Sequence, residues 1–466
     1  MKDYATYEVE QYIYSVCDQI EYEKIHSFIS DELCAHIDDQ KQEYMDKGLA
    51  AAEAERKAVE DMGDPIEVGK ELNRIHRIRH PWGLTVIMIL AVISTLIAQV
   101  AGACVKVSPD SVELYRTMTG NSARLINHSY MAAEFIKYVG MGLICLAVFA
   151  FNSYKRYIRQ KSVLCLVALI CVLRIAGLWL SVSGSSRLIA LLNKGSEMMV
   201  KIAAPVSVLV FVQILTGSVG RRSKTDVRPV CCMLVSVLCA FLIPSSSMAI
   251  AVIVADTVML VTFSYLSCRD TKEFVSSAVR FCILSVLLIG MIVLLCVYLQ
   301  GSEKAVENEW AKQLTSGQVQ YAEYYDRFRM IMKNCSFIGG SEVAIINTAT
   351  ALSENMFMDY VLYLVAARFG IACMILMLAI IAAVPVLMIR YAMKQATVQG
   401  KVLGVGIGAM LLAEVFLCLL TTFGIIPLTP MSMPYLSYGL VNICCSYVAI
   451  GLCMSIYRYK DIPVAG

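Results

Sequence analysis

The sequence predicts an all-α protein: a polytopic membrane domain of ten transmembrane helices, preceded by a small cytoplasmic helical domain. Three observations predict it. Hydrophobic residues make up 58% of the chain and charged residues 17%, more apolar surface than a soluble core can absorb. The apolar residues gather in blocks of about 20, the length that carries a helix across roughly 30 Å of hydrocarbon. Basic residues collect in every second loop between these blocks, as the cytoplasmic side of a membrane protein requires.

Residues 1–80 are polar and show no secretory signal pattern. Within "EKIHSFISDELCAHI", Ile25, Phe28, Ile29, Leu33 and Ile37 recur at three- and four-residue spacing and mark one face of a helix. Gly48 is placed to end it. "LAAAEAERKAVEDMG" predicts a second helix closed by Gly63, and Asp64-Pro65 suits the start of a third. This arrangement over about 20–80 resembles the small prefix domain found before various bacterial permeases and anti-sigma-like membrane proteins. It contains no catalytic constellation.

The membrane domain, 81–462, is predicted to span at 83–104, 134–152, 162–182, 199–217, 229–245, 248–267, 277–299, 360–389, 402–424 and 435–457. "IPSSS" separates the fifth and sixth spans, because Pro244 lacks a donor and the serines can satisfy freed backbone groups. Arg74, Arg77 and Arg79, then "YKRYIRQK", "GRRSKTDVR", the Arg269–Arg280 loop, the Arg390–Lys401 loop and Arg458 with Lys460 all fall on one side. Residues 243–248 and 425–434, on the other side, carry no basic residue. Both termini are therefore expected in the cytoplasm, with the large loop 300–358 outside. The net charge of +3 is too small to point to nucleic acid.

Most of the 18 cysteines lie in apolar runs, including the neighbours Cys231–Cys232 and Cys444–Cys445. No zinc-type spacing occurs. Cys104 and Cys335 both fall on the outward side, but a disulfide between them is not expected. "GKVLGVGIG" places small residues four apart in an apolar run, which suits close helix packing rather than phosphate binding. Arg174 and Arg368 lie within predicted spans and are expected to face the bundle.

"PLTPMSMPYLSYGL", residues 427–440, holds three prolines and no charge between two apolar runs. A regular helix is excluded there, and irregular backbone at membrane depth is tolerated only against protein or a wet cavity. The residues alone allow a re-entrant loop lining something polar or a plain extracytoplasmic hairpin.

The stretch resembles the terminal signature of the FtsW/RodA/SpoVE (SEDS) family, polytopic bacterial cell-wall polymerases. Pro427, Thr429, Pro434, Ser437, Tyr438 and Gly439 match; Pro430 and Leu440 stand where the family usually has glycine. "SGSSRLIALLNKGSEMMVK" is similar to a second family segment at Gly184, Arg187, Ser196 and Glu197. There Leu188 replaces a tryptophan, Gly195 replaces a proline, and Lys201 comes one residue late. "FLIPSSSMAIAV" keeps only a proline and an alanine of a third. "LSENMFMDYVLYLVAARFGI" matches a fourth at Asp359 and Gly370, with Ala367 and Arg368 in place of an acidic pair. The resemblance covers about 82–462.

It implies a peptidoglycan glycosyltransferase that polymerises lipid II, an undecaprenyl-pyrophosphate-linked disaccharide peptide, at the outer face of the bacterial cytoplasmic membrane. In cell division, shape or sporulation it would work beside a single-span transpeptidase, a class B penicillin-binding protein. Asp359 is then the catalytic carboxylate; its residue type equally suits a helix N-cap. Arg187, Lys194 and Lys201 are expected at the leaving pyrophosphate, as are Arg327, Arg329 and Lys333; such cations also snorkel to lipid headgroups. Glu197 could pair with one of the cations or with a divalent metal, and a buried salt bridge is the favoured expectation. Thr429, Ser437 and Tyr438 offer hydroxyls to substrate or to their own loop. The one cofactor this chemistry admits is a divalent cation accompanying the pyrophosphate, although no metal site is expected from the residues. Two other readings share the architecture: a scaffold of cell-wall enzymes that has lost catalysis, and a flippase for lipid-linked precursors.

Overall fold

The computed structural model describes residues 7–103, 128–159, 208, 212, 246–268, 271–301, 331–341, 361–423, 433–437, 439–460 and 462. Every regular element among them is helical. The chain divides into two compact units, Met1–His80 with Arg458–Gly466, and Pro81–Tyr457.

Among the described residues the first unit has four α-helices: α1 (Tyr7–Asp18), α2 (His26–Asp46), α3 (Ala51–Asp61) and α4 (Pro65–Ile75). The periodicity predicts the last three. On α2 and the turn before it, Ile25, Ile29, Leu33 and Ile37 are buried and Phe28 is half-buried. Gly48 and Gly63 follow α2 and α3 in the left-handed region, at φ +94° and +85°. Asp64 caps α4, its carboxylate accepting from the Ile66 N–H at 3.0 Å, and Pro65 takes the first helical position. The additional helix α1 buries Val9, Tyr12, Ile13 and Val16, again one helical face. A Cβ on Gly69 would lie 2.7 Å from the Val16 carbonyl oxygen, so α4 rests directly on α1. The tail also belongs to this unit: the Arg79 N–H donates to the Arg458 carbonyl at 3.3 Å, and Tyr459 and Ile462 are buried.

The second unit contains α5 (Trp82–Ala103), α6 (His128–Phe151), α7 (Tyr154–Arg159), α8 (Ser246–Ser267), α9 (Thr271–Gly301), α10 (Val361–Phe369), α11 (Ile371–Met393), α12 (Val398–Thr422) and α13 (Leu440–Arg458, its last residue lying in the first unit). Among the described residues six helices are long and apolar enough to cross a bilayer, within α6, α8, α9, α11, α12 and α13. The expected spans 162–182, 199–217 and 229–245, and Arg174, lie outside the described residues.

Helix α12 packs against both α8 and α11, and its glycines set how closely. A Cβ on Gly408 would lie 2.7 Å from Ile389 Cγ1 and 3.1 Å from the Pro385 carbonyl oxygen of α11. One on Gly404 would lie 2.5 Å from the Cβ of Ala392. Gly406, on another face, abuts Met259 of α8. The small residues of "GKVLGVGIG" therefore serve packing. Gly142 and Gly451 do the same between α6 and α13, where a Cβ on Gly451 would lie 2.6 Å from the Leu146 carbonyl oxygen.

The expected single span 360–389 is instead broken at Gly370, with φ +95°. The freed N–H groups of Ile371 and Ala372 donate to the carbonyls of Ser336 and Phe337, at 3.1 and 3.0 Å. In return the N–H groups of Gly339 and Ser341 donate to the carbonyls of Phe369 and Ala367, at 3.1 and 3.0 Å. A Cβ at Gly370 would lie 2.8 Å from the Phe337 carbonyl oxygen, so glycine is required by both conformation and space. Arg368 consequently lies in the last turn of α10, where it is exposed rather than turned into the bundle. The last span starts at Leu440 rather than 435, because Pro434 and the turn around it precede the helix. Cys335 is a free thiol, and Cys104 lies outside the described residues.

Overpacking a tight core contact costs about 1–3 kcal/mol. Gly408→Val is therefore expected to lower the thermal unfolding midpoint of the purified protein. Gly140→Ala, where no atom lies within 4 Å, should leave the midpoint unchanged or raise it.

Candidate active site

Between α12 and α13, residues 433–437 form a buried turn. The Ser437 N–H donates to the Met433 carbonyl at 3.1 Å, and the Met433 N–H donates to the Ser437 hydroxyl oxygen at 2.7 Å. Pro434 has no N–H to leave unpaired at this depth. Tyr435 adopts φ +64°, a conformation that costs a non-glycine residue roughly 1–2 kcal/mol and is held by its surroundings. Gly439, at φ +140°, passes the chain into α13, and its carbonyl accepts the first helical bond, from the Ile443 N–H at 3.0 Å.

Asn442 locks the turn. Its side-chain amide donates to the carbonyls of Met433 at 3.2 Å and Ser437 at 3.4 Å. Met433, Tyr435, Leu436 and Ser437 are each no more than 2% exposed. Residues 433–437 are thus packed within the protein, while residues 427–432 and Tyr438 lie outside the described residues. Tyr435 lies within electrostatic reach of Glu414 on α12 and of Tyr447 and Cys453 on α13. Glu414 and Asp256 are buried acids on spanning helices, residues that cost free energy in a membrane and mark functional interiors.

A second polar cluster lies at the other end of α13. The Tyr154 N–H donates to Ser455 Oγ at 2.9 Å, and Gln395 Nε2 donates to the Tyr154 hydroxyl at 2.9 Å and the Ile456 carbonyl at 3.1 Å. The Tyr154 hydroxyl in turn reaches Thr397 Oγ1 at 3.0 Å. Burial pushes the Tyr154 hydroxyl above its usual pKa, opposed by the bonds to Thr397 and Gln395. This cluster fastens the chain between α6 and α7, and the chain between α11 and α12, to the end of α13.

Of the residues singled out by sequence, the structure describes Ser437, whose hydroxyl is engaged by its own turn, and Lys333, which is exposed. Asp359, Arg187, Lys194, Glu197, Lys201, Thr429, Tyr438, Arg327 and Arg329 lie outside the described residues. Sequence reasoning missed Glu414, Asp256, Asn442 and Gln395. For the two acids a signal was present: each is an isolated carboxylate within an apolar run. Among the described residues no group of three His, Cys, Asp or Glu side chains could hold a metal ion.

The model of the FtsW/RodA/SpoVE cell cycle proteins matches residues 95–462, a stretch that includes the buried turn. The chain belongs to the FtsW/RodA/SpoVE family. Residues 1–94, with α1–α4, lie outside that match. Among solved structures, this family member is similar to a chain of a peptidoglycan synthase complex studied for the coordination of polymerization and crosslinking. The two are 16% identical with a TM-score of 0.49, over 82% of this chain and 98% of that one. It is also similar to the Rod shape determining protein RodA of Thermus thermophilus, at 13% identity and a TM-score of 0.46, with the same coverage. No curated protein matches.

Replacing Asn442 by Ala or Asp removes the donor that two buried carbonyls share. Leaving such groups unpaired costs about 1–3 kcal/mol, so both variants are expected to unfold at lower temperature than the parent. Proteolysis under native conditions should become faster near 433–439 in each.

Proposed function

We propose that this protein polymerises lipid II into glycan strands at the outer face of the bacterial cytoplasmic membrane, with both termini in the cytoplasm. The observation that carries the reading is the family match across 95–462. The buried turn supports it, because the family-matching residues Pro434 and Ser437 belong to it and Gly439 leads from it into α13.

In the proposed reaction the 4-hydroxyl of one sugar attacks the anomeric carbon of another. A carbon–oxygen bond forms there as the bond to the lipid pyrophosphate breaks. Asp359 accepts the hydroxyl proton, since an alcohol is a poor nucleophile near neutral pH. It precedes α10 by two residues in the sequence, and α10 is buried along Leu362–Ala367 and tied down at Gly370. Arg187, Lys194 and Lys201 stabilise the charge that develops on the departing pyrophosphate, with Glu197 paired to one of them. A divalent cation accompanying the pyrophosphate would add to that stabilisation. Thr429 and Tyr438 present hydroxyls to the sugar or phosphate, and Ser437 holds the turn at 433–437. A single-span transpeptidase would crosslink the product.

General-base catalysis contributes about 10²–10⁴-fold, so Asp359→Asn should lower glycan synthesis from lipid II by the purified protein by at least about 100-fold. Unaltered synthesis in that variant would overturn the assignment of Asp359. Absence of synthesis by the folded parent, alone and with its transpeptidase, would overturn the reading as a polymerase.

A further inference from the structure

The Tyr154 cluster gathers helix ends of the second unit. The Tyr154 N–H donates to Ser455 near the end of α13, and its hydroxyl meets Gln395 and Thr397 in the connection from α11 to α12. The apolar spans of α6, α11 and α13 end at Phe151, Met393 and Arg458, and that of α12 begins at Val398. The cluster therefore lies at the level where hydrocarbon gives way to headgroups. Aromatic side chains mark the same level. A Cβ on Gly83 would lie 2.6 Å from the Tyr391 hydroxyl oxygen, which brings the start of α5, with its exposed Trp82, against the end of α11. Tyr391 and Tyr457 meet edge to face, with ring centroids 4.6 Å apart.

The charge gathered here has one sign. Lys155 and Arg156 follow Tyr154 in the chain, Arg390 and Lys394 lie one turn apart at the end of α11, and Lys401 is in the first turn of α12. Residues 152–161, 388–401 and 455–457 contain no aspartate or glutamate. Lys394 lies over the Tyr391 ring, 5.5 Å from its centroid, and Arg156, Arg390 and Lys394 are exposed. Lys155 is half-buried, and that burial lowers its pKa. Cations brought together by the bonds of their neighbours repel one another, and a bound anion offsets that repulsion. Val386, Arg390 and Met393 share one face of α11 by their four- and three-residue spacing, and both apolar members are exposed. An anion that also carries hydrocarbon chains matches such a face.

We infer that Lys155, Arg156, Arg390, Lys394 and Lys401 form a binding site for the phosphate headgroup of an anionic membrane phospholipid, whose acyl chains lie along Met393 and Val386. Basic pockets between the ends of spanning helices hold such headgroups. The headgroup bridges the same chain segments that Tyr154, Gln395 and Thr397 join by hydrogen bonds. A free phosphate has the charge for this site but nothing to set against the apolar face of α11.

The test uses the full chain, delipidated in a neutral detergent and titrated with phosphatidylglycerol, phosphatidylcholine or glycerol phosphate. Bound molecules are counted by native mass spectrometry. The parent should retain phosphatidylglycerol in preference to the other two. Arg390→Gln combined with Lys394→Gln should weaken that binding about 30-fold, from the usual worth of two cations at an anionic membrane surface. Lys272→Gln combined with Arg280→Gln removes the same charge from the start of α9 and should leave it unchanged. Matching elution on size exclusion identifies folded variants, and Arg156→Gln with Arg390→Gln serves if the first pair misfolds. Equal retention of phosphatidylglycerol and phosphatidylcholine by the parent, or equal weakening in the α9 variant, overturns the site. Binding of glycerol phosphate as tight as that of phosphatidylglycerol identifies a free-phosphate site and overturns the lipid assignment. The readout involves no glycan synthesis, so it stands apart from the polymerase reading.

Discussion

A bilayer interior offers no water to a backbone N–H or carbonyl, so each departure from helix must be satisfied by the protein itself. This constraint shapes the membrane unit. At Gly370 the broken helix bonds to residues 336–341 through four backbone hydrogen bonds. At 433–437 the Ser437 hydroxyl and the Asn442 amide supply the partners. At the other end of α13, Gln395, Tyr154 and Ser455 do so. A side-chain amide is suited to this work, since its NH₂ group can donate to two acceptors at once.

These fixed points gain their value from the packing between them. Gly404, Gly406 and Gly408 let α11 and α8 approach α12 to contact, and Gly142 and Gly451 do the same for α6 and α13. Helices held at such short range cannot slide without collision, because interiors at this density have few voids to move into. The turn after α12 is therefore carried on two clamped helices. A functional group positioned by it inherits their rigidity, as any catalysis by positioning requires.

Much of the fold was legible in the sequence because hydrophobic length and periodicity report it directly. The stripe from Ile25 to Ile37, the stops at Gly48 and Gly63, the Asp64 cap and the glycine spacing of α12 all have local physical causes. Helix α1 had the same signal in Val9, Tyr12, Ile13 and Val16. What was not legible depends on partners distant in sequence. Nothing near Gly370 announces that Ser336 and Phe337 will take up its freed donors, and an uninterrupted apolar run reads as one span. Nothing near Gln395 points to Tyr154, 241 residues away. The prolines of 427–434 exclude a helix, but only the long reach of Asn442 back to Met433 turns a broken helix into a buried turn.

The same distinction separates the two kinds of candidate residue in this molecule. Thr429, Tyr438 and Asp359 are named by a motif, which preserves residue type at a position. Glu414 and Asp256 are named by burial, since a carboxylate among apolar neighbours on a spanning helix is disfavoured unless its surroundings compensate it. Tyr435 joins the two sets. It belongs to the matching turn, adopts a backbone conformation that few side chains accept, and lies within reach of Glu414. A strained residue persists only where its surroundings over-determine it, and here they are α12, α13 and the Asn442 lock.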